Sequence, residues 1–210
     1  MAFGGDWGRP LLSEIRIYIE GKSSPEMRDA FGKFRGEPKR AAQEKRIQWQ
    51  IIACGGRDRA YDSFCFALHD HPTAFNVLLV DAEVEVETYG ETWRHLKKRD
   101  DWNNPGVTNK QCHLMVCLME AWFLADPEKL TEHFGKPPKT LTVYPDVERV
   151  PKDTVEDVMA KVSSRFGKPP YHKIKDGTKL LQNIRPRLVQ AKAPHCRRLF
   201  ETLDEIIGAL

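Results

Sequence analysis

The sequence predicts an α/β protein: a parallel sheet flanked by helices, followed by a helical, basic C-terminal extension. Three observations carry this prediction. The runs "IRIYI" (15–19), "IQWQIIAC" (47–54) and "NVLLV" (76–80) have the length and the β-branched content of core strands. The last is apolar throughout after Asn76, as a strand covered on both faces must be. The segments between the runs read as helices. That gives the order β-α-β-α-β, and right-handed crossovers then make the sheet parallel with helices on both faces.

Taken in order, the first helical region opens at Ser23 or Ser24, either of which can cap it. Pro25 suits a first turn and Glu26 suits the positive end of the helix dipole. Glu37-Pro38 is expected to break this region into two helices. Gly55-Gly56 supplies the turn after the second strand. "RDRAYDSFCFAL" then puts Tyr61, Phe64, Cys65 and Leu68 on one helical stripe. Residues 84–110 are polar and end in "DDWNNPGVTNK", a loop candidate. "CHLMVCLMEAWFLADPEKL" (112–130) is the most apolar stretch, readable as a fourth strand (112–117) running into a helix that stops near Asp126-Pro127. The proline-rich residues 135–155 are expected to be irregular, with a helix at 154–166, a break at "GKPPY" and further helices over 173–210. The organisation is therefore an α/β domain over 1–130 and a mainly helical, proline-interrupted basic extension over 131–210, packed on it.

Composition narrows the class. With 40% hydrophobic and 30% charged residues, disorder is excluded as the main state. No apolar run approaches the roughly 20 residues that cross a bilayer, so no membrane partner is expected. "MAFGGDWGRP" lacks a basic region followed by an apolar core, so it is not expected to be a signal peptide. Five scattered cysteines without C-x-x-C spacing argue for reduced thiols in a cytoplasm and against structural zinc. Net charge is only +3, but between 161 and 200 eleven Lys and Arg stand against one acid, Asp176. "DAEVEVETYGE" in the middle is acidic by contrast. A basic end facing an acidic centre can grip a polyanion while the acids hold metal; a solvated surface is the plainer alternative.

Functional groups in an open parallel sheet gather beyond the carboxyl ends of the strands. Glu20 ends the first run there, although Glu is a poor turn former, and Asp81 and Glu83 follow the third. Converging carboxylates repel one another unless a cation neutralises them. Mg²⁺, or Mn²⁺ in its place, is the hard, oxygen-seeking cation that fits, and such a metal can activate water against a phosphodiester.

"IYIEG", "IIACGG" and "NVLLVDAE" resemble the Toprim domain of topoisomerases, primases and OLD-type nucleases, over roughly residues 13–125. That resemblance implies a Glu after the first strand, an acidic pair after the third, bound Mg²⁺ and action on phosphodiesters. It carries the metal role onto Glu20, Asp81 and Glu83. Glu83 stands where the family usually has Asp, one methylene shorter. A narrower resemblance rests on "MEAWFLADPEKL", "HKIKDGTKLL" and "APHCRRLFETL". These motifs are similar to a bacterial family of Toprim-like proteins encoded beside ABC-type or AAA-type ATPases in anti-phage defence loci. It implies an ATPase partner protein.

Within these motifs, Glu120 is flanked by apolar residues, so it is either linked to the site or buried with a partner; Asp126, before Pro127, reads as a helix-end or turn residue. Lys173, Lys175 and Lys179 could reach nucleic-acid phosphates as flexible point charges, or could be plain surface charge. "HDH" (69–71) offers only two histidines. Gly55-Gly56 lacks the ending of a P-loop. Trp93, Trp102 and Trp122 could stack on bases but more commonly pack. The expectation is a Mg²⁺-dependent nuclease with Glu20, Asp81, Glu83 and Glu120 as its catalytic acids. The rival is a non-enzymatic regulatory or recognition partner of the ATPase.

Overall fold

Four strands form one all-parallel sheet in the order β2-β1-β3-β4. They are β1 (Glu14–Ile19), β2 (Gln48–Ala53), β3 (Ala74–Asp81) and β4 (Cys112–Met115). This is a computed structural model, and it describes residues 12–135, 141–164 and 171–209. Nine α-helices are found among the described residues: α1 (Pro25–Phe34), α2 (Gly36–Glu44), α3 (Arg57–Asp70), α4 (Thr92–Asp100), α5 (Pro127–His133), α6 (Lys152–Ser163), α7 (Lys175–Asn183), α8 (Pro186–Lys192) and α9 (Pro194–Gly208). The expected α/β class, with a parallel sheet flanked by helices, is what forms. No helix among the described residues is long and apolar enough to cross a membrane.

The central strands show why. Successive residues of β3, Val77 to Val80, are all buried, as are Ile17, Tyr18 and Ile19 of β1. Successive side chains of a strand point to opposite faces, so both faces are covered. α3 packs on β1 and β3, while α9 packs on β4 and α2. α1 packs on β2 and α7, so the C-terminal helices share one core with the sheet.

Local chemistry sets the helix starts. The Ser24 side chain accepts from the Met27 N–H and Pro25 opens α1, as the sequence predicts. The break between α1 and α2 comes at Arg35, two residues before Glu37-Pro38. Pro38 sits inside the first turn of α2, where its missing N–H has no partner to lose. Two expectations are corrected. Part of the polar stretch 84–110 folds into α4, which buries only Thr92, Trp93 and Leu96. After β4 the chain forms a 3₁₀ segment, Met119–Ala125, instead of an α-helix. Asp126 then starts α5 by capping the Lys129 N–H. A short 3₁₀ turn, Val147–Arg149, lies in the stretch expected to be irregular, and α6 begins at Lys152. Residues 167–170 of the expected "GKPPY" break lie outside the described residues.

Candidate functional site

The register of β1 and β3 pairs Ile19 with Leu79, so Glu20 and Asp81 leave neighbouring strands at almost the same level. Glu20 keeps the ladder one step longer by donating its N–H to the Leu79 carbonyl. The turn that Glu20 itself could not make is supplied by Gly21, at φ +140°, a region open essentially to glycine. Gly21 and Gly55 exchange backbone hydrogen bonds of 3.0 and 2.7 Å, tying the ends of β1 and β2 together. Beyond β3, Glu83 takes a left-handed φ of +65°. One oxygen from each of Glu20, Asp81 and Glu83 lies within 4.8 Å of the others. This is the one set of three or more such ligand side chains that converges among the described residues.

Each acid has its own holder. Asp81 is buried, and its Oδ1 accepts the Met119 N–H at 2.9 Å. Burial, then the Glu20 and Glu120 carboxylates, push its carboxyl up to about 8. Glu20 is half-buried, and its Oε2 accepts from Arg57 Nη1 at 3.3 Å and from the Asp81 N–H at 3.4 Å. Burial works upward on Glu83, but its ion pair with Lys152 prevails and holds it below the usual carboxylate range. Glu120 is 2% exposed. Its Oε1 accepts the Tyr171 hydroxyl at 2.9 Å, while its Oε2 has no hydrogen bond among the described residues and faces Lys173 Nζ at 4.0 Å.

Lys173 is the cation common to all four acids. Burial works downward on it, yet Glu120, Asp81, Glu83 and Glu20 together raise its ammonium above the usual lysine range. It lines two small cavities. One, of about 170 Å³, also holds Glu20, Gly21, Asp81 and Met119; the other, of about 270 Å³, holds Glu120, Tyr171 and Met159. Of the sequence candidates, then, Glu20, Asp81, Glu83, Glu120 and Lys173 come together. Lys175 and Lys179 do not join them; both stand exposed on α7.

The wider expectation is a basic face over 161–200. Among the described residues, several of its cations are committed to partners within the protein. Arg185 grips Asp126 and Glu128, Arg187 pairs with Glu37, Arg198 donates to the Cys112 carbonyl and His113, and Lys192 donates to the Ala125 carbonyl. Trp93, Trp102 and Trp122 are buried and offer no surface for bases. Three participants escaped the sequence reading: Arg57, Lys152 and Tyr171. Arg57 carries the most. Its Nη1 also bonds the Asp81 carbonyl, while its Nε and Nη2 fork onto Asp100 at 2.9 and 2.7 Å. Its one sequence signal is that it directly follows the Gly55-Gly56 turn, at a helix start where a cation opposes the dipole.

The donor set fits a hard divalent cation. It is all oxygen, it includes a carboxyl that burial and repulsion hold protonated, and an unbonded Glu120 oxygen lies beside it. No curated protein and no solved structure matches the chain. The family model described as a domain of unknown function, DUF4276, matches residues 9–204, and the chain belongs to that family.

Proposed function

We propose that the protein is a Mg²⁺- or Mn²⁺-dependent nuclease that hydrolyses nucleic-acid phosphodiesters. One observation carries the reading: three carboxylates converge at the carboxyl rim of a parallel sheet, with a lysine facing them. Glu20, Asp81 and Glu83 would hold the metal. When bound, the metal would activate water and stabilise the leaving oxygen. The chain's own groups supply the rest. Asp81 gives up its proton on binding, and Lys173 neutralises a phosphate oxygen at the rim. The Oε2 of Glu120, which faces Lys173 and has no hydrogen bond among the described residues, would be the site's base, taking the proton of the attacking water. The Toprim resemblance of "IYIEG" and "NVLLVDAE" supports this chemistry, and the resemblance of the C-terminal motifs supports an ATPase partner in anti-phage defence. A cytoplasmic setting fits five free thiols.

A second reading has its own observation. Lys152 already occupies Glu83, as a chain that had given up metal would arrange it. In that case the protein is a non-enzymatic recognition partner of the ATPase. A Mg²⁺ and Mn²⁺ titration followed by thermal unfolding and by oligonucleotide cleavage, alone and with the partner, separates the two. A nuclease gains melting temperature with metal and cleaves, and Asp81→Asn loses both. Asparagine is the right replacement because it keeps an oxygen for the Met119 N–H, which alanine would leave unpaired. No gain in melting temperature with metal, together with no cleavage in the complex, would establish the non-enzymatic role.

A further inference from the structure

A cluster of uncommitted positive charge lies at the far end of α7 from the acidic rim. A cleft of about 820 Å³ runs between α1, α2 and the edge strand β2. Arg28, Lys33, Lys39 and Arg40 line it, against a single acid, Asp29. None of these four side chains forms an ion pair or hydrogen bond with another described residue. They belong to the helices, not to β2, so they are not charges placed on a strand to blunt its edge. Trp49 and Ile51 form the floor. The Trp49 Nε1 is closed off from solvent and has no acceptor among the described residues. Free cations around a half-buried aromatic ring are the chemistry of a single-stranded polyanion site: charge for the backbone and a flat ring for bases.

α7 connects this cleft to the acids. Ile174 and Lys173, at its start, line the cavity of Glu20 and Asp81, while Gln182, near its end, lines the basic cleft. Between them Lys175 and Lys179 share the stripe of Gln182, at spacings of four and three residues. Seven residues of helix span roughly 10 Å. The two lysines that stand apart from the acidic cluster thus lie on the path from the cleft to the rim.

We infer that the α1–α2–β2 cleft binds single-stranded nucleic acid, which Lys175 and Lys179 lead along α7 to the acidic rim. The inference rests on the nucleic-acid part of the function proposed above. The half-buried Trp49 ring gives a base a face to stack on, which a lipid headgroup does not use. Binding needs no metal, which separates it from cleavage.

The test is fluorescence anisotropy in chelator, with labelled single-stranded DNA and RNA of one sequence, over a range of salt. It compares the wild type with Lys33→Gln/Lys39→Gln/Arg40→Gln and with Lys175→Gln/Lys179→Gln. Each lost phosphate contact should lower the slope of log affinity against log salt by about 0.7, so the triple variant should lose up to about 2. Its affinity should fall at least ~10-fold at low salt, with an unchanged melting temperature, and the α7 pair should fall less. The DNA and RNA arms decide which polymer the cleft prefers. Equal binding by the triple variant and the wild type overturns the cleft even if metal-dependent cleavage is found. Cleft-dependent binding, with no cleavage in Mg²⁺ or Mn²⁺ either alone or with the partner, upholds the cleft and removes the nuclease. Loss of binding to phosphatidylserine vesicles, with oligonucleotide binding intact, would make the cleft a membrane contact and overturn the inference.

Discussion

Tyr171 donates its hydroxyl hydrogen to Glu120, 51 residues earlier in the chain, at 2.9 Å. Burial, then the Glu120 charge, push the phenol well above its ordinary range, so it remains a donor. This bond fastens the segment leading into α7 to the 3₁₀ turn beside the acids. Tyr171→Phe should therefore destabilise the fold by about 1–3 kcal/mol, the usual cost of stranding a buried acceptor. Chemical denaturation checks this. Adding Glu120→Gln should recover part of the loss, because a neutral amide tolerates burial better than an unbonded carboxylate, and a double-mutant cycle isolates the coupling.

The raised Asp81 carboxyl gives a pH dependence of definite sign. Its folded value is about 8, against about 3.9 in the unfolded chain. Between these values the native chain holds a proton that the unfolded chain has released. Its contribution to metal-free stability is therefore fully present below the unfolded value and is lost as pH rises towards 8. Asp81→Asn should flatten this fall in an unfolding series across pH. At pH 7, Mg²⁺ uptake should release about one proton. Calorimetric titration in two buffers of different ionisation enthalpy reads that number, and no release would show Asp81 to be already ionised.

Arg57 ties Glu20, the Asp81 carbonyl and Asp100 into one knot and lies 5.0 Å from the centre of the Trp102 ring. Arg57→Gln should cost about 3 kcal/mol, because it strands partly buried acids. It also removes a positive charge next to the carboxylates. Added Mg²⁺ should then raise the melting temperature of the variant by more than it raises that of the wild type. An equal metal shift in both would show that Arg57 and the metal do not share Glu20.

Asp126 is the control acid. It is fully buried, accepts from the Arg185 N–H, Nε and Nη2 and from the Lys129 N–H, and lies apart from the converging acids. Burial pushes it up, but the Arg185 guanidinium and these N–H donors hold it below its ordinary range. Asp126→Asn should lose about 3–5 kcal/mol and leave the Mg²⁺ dependence of stability as it is. A lost metal response in this variant would mean that the response reads folding and not a site.

The strands and their terminal acids were legible because each depends on neighbours in sequence: a continuous apolar run means two covered faces, and an acid at its end means the rim. The rest depends on partners far along the chain. Arg57 meets Glu20 across 37 residues and Asp100 across 43, so its place after the Gly55-Gly56 turn is the one local hint of a role. α4 hides because three buried residues among lysines and arginines make little periodic signal. The C-terminal cations misled in the opposite way. Their density in sequence is real, but Asp126, Glu128, Glu37 and several carbonyls take up part of it. The basic cleft was invisible because Glu26, Asp29 and Glu37 are interleaved with its cations, and only the fold sorts them.

The reciprocal bonds of Gly21 and Gly55, with the register of β1 against β3, mean that the rim is built from main chain. The distance between Glu20 and Asp81 is set by the separation of adjacent strands, about 4.8 Å in any sheet. Such a rim is a ruler woven into the scaffold. The helices around it can be exchanged, lengthened or recharged to suit different clients without recalibrating it. Innovation in a protein of this design is then free to happen at the periphery, while the spacing of the acids is inherited with the backbone.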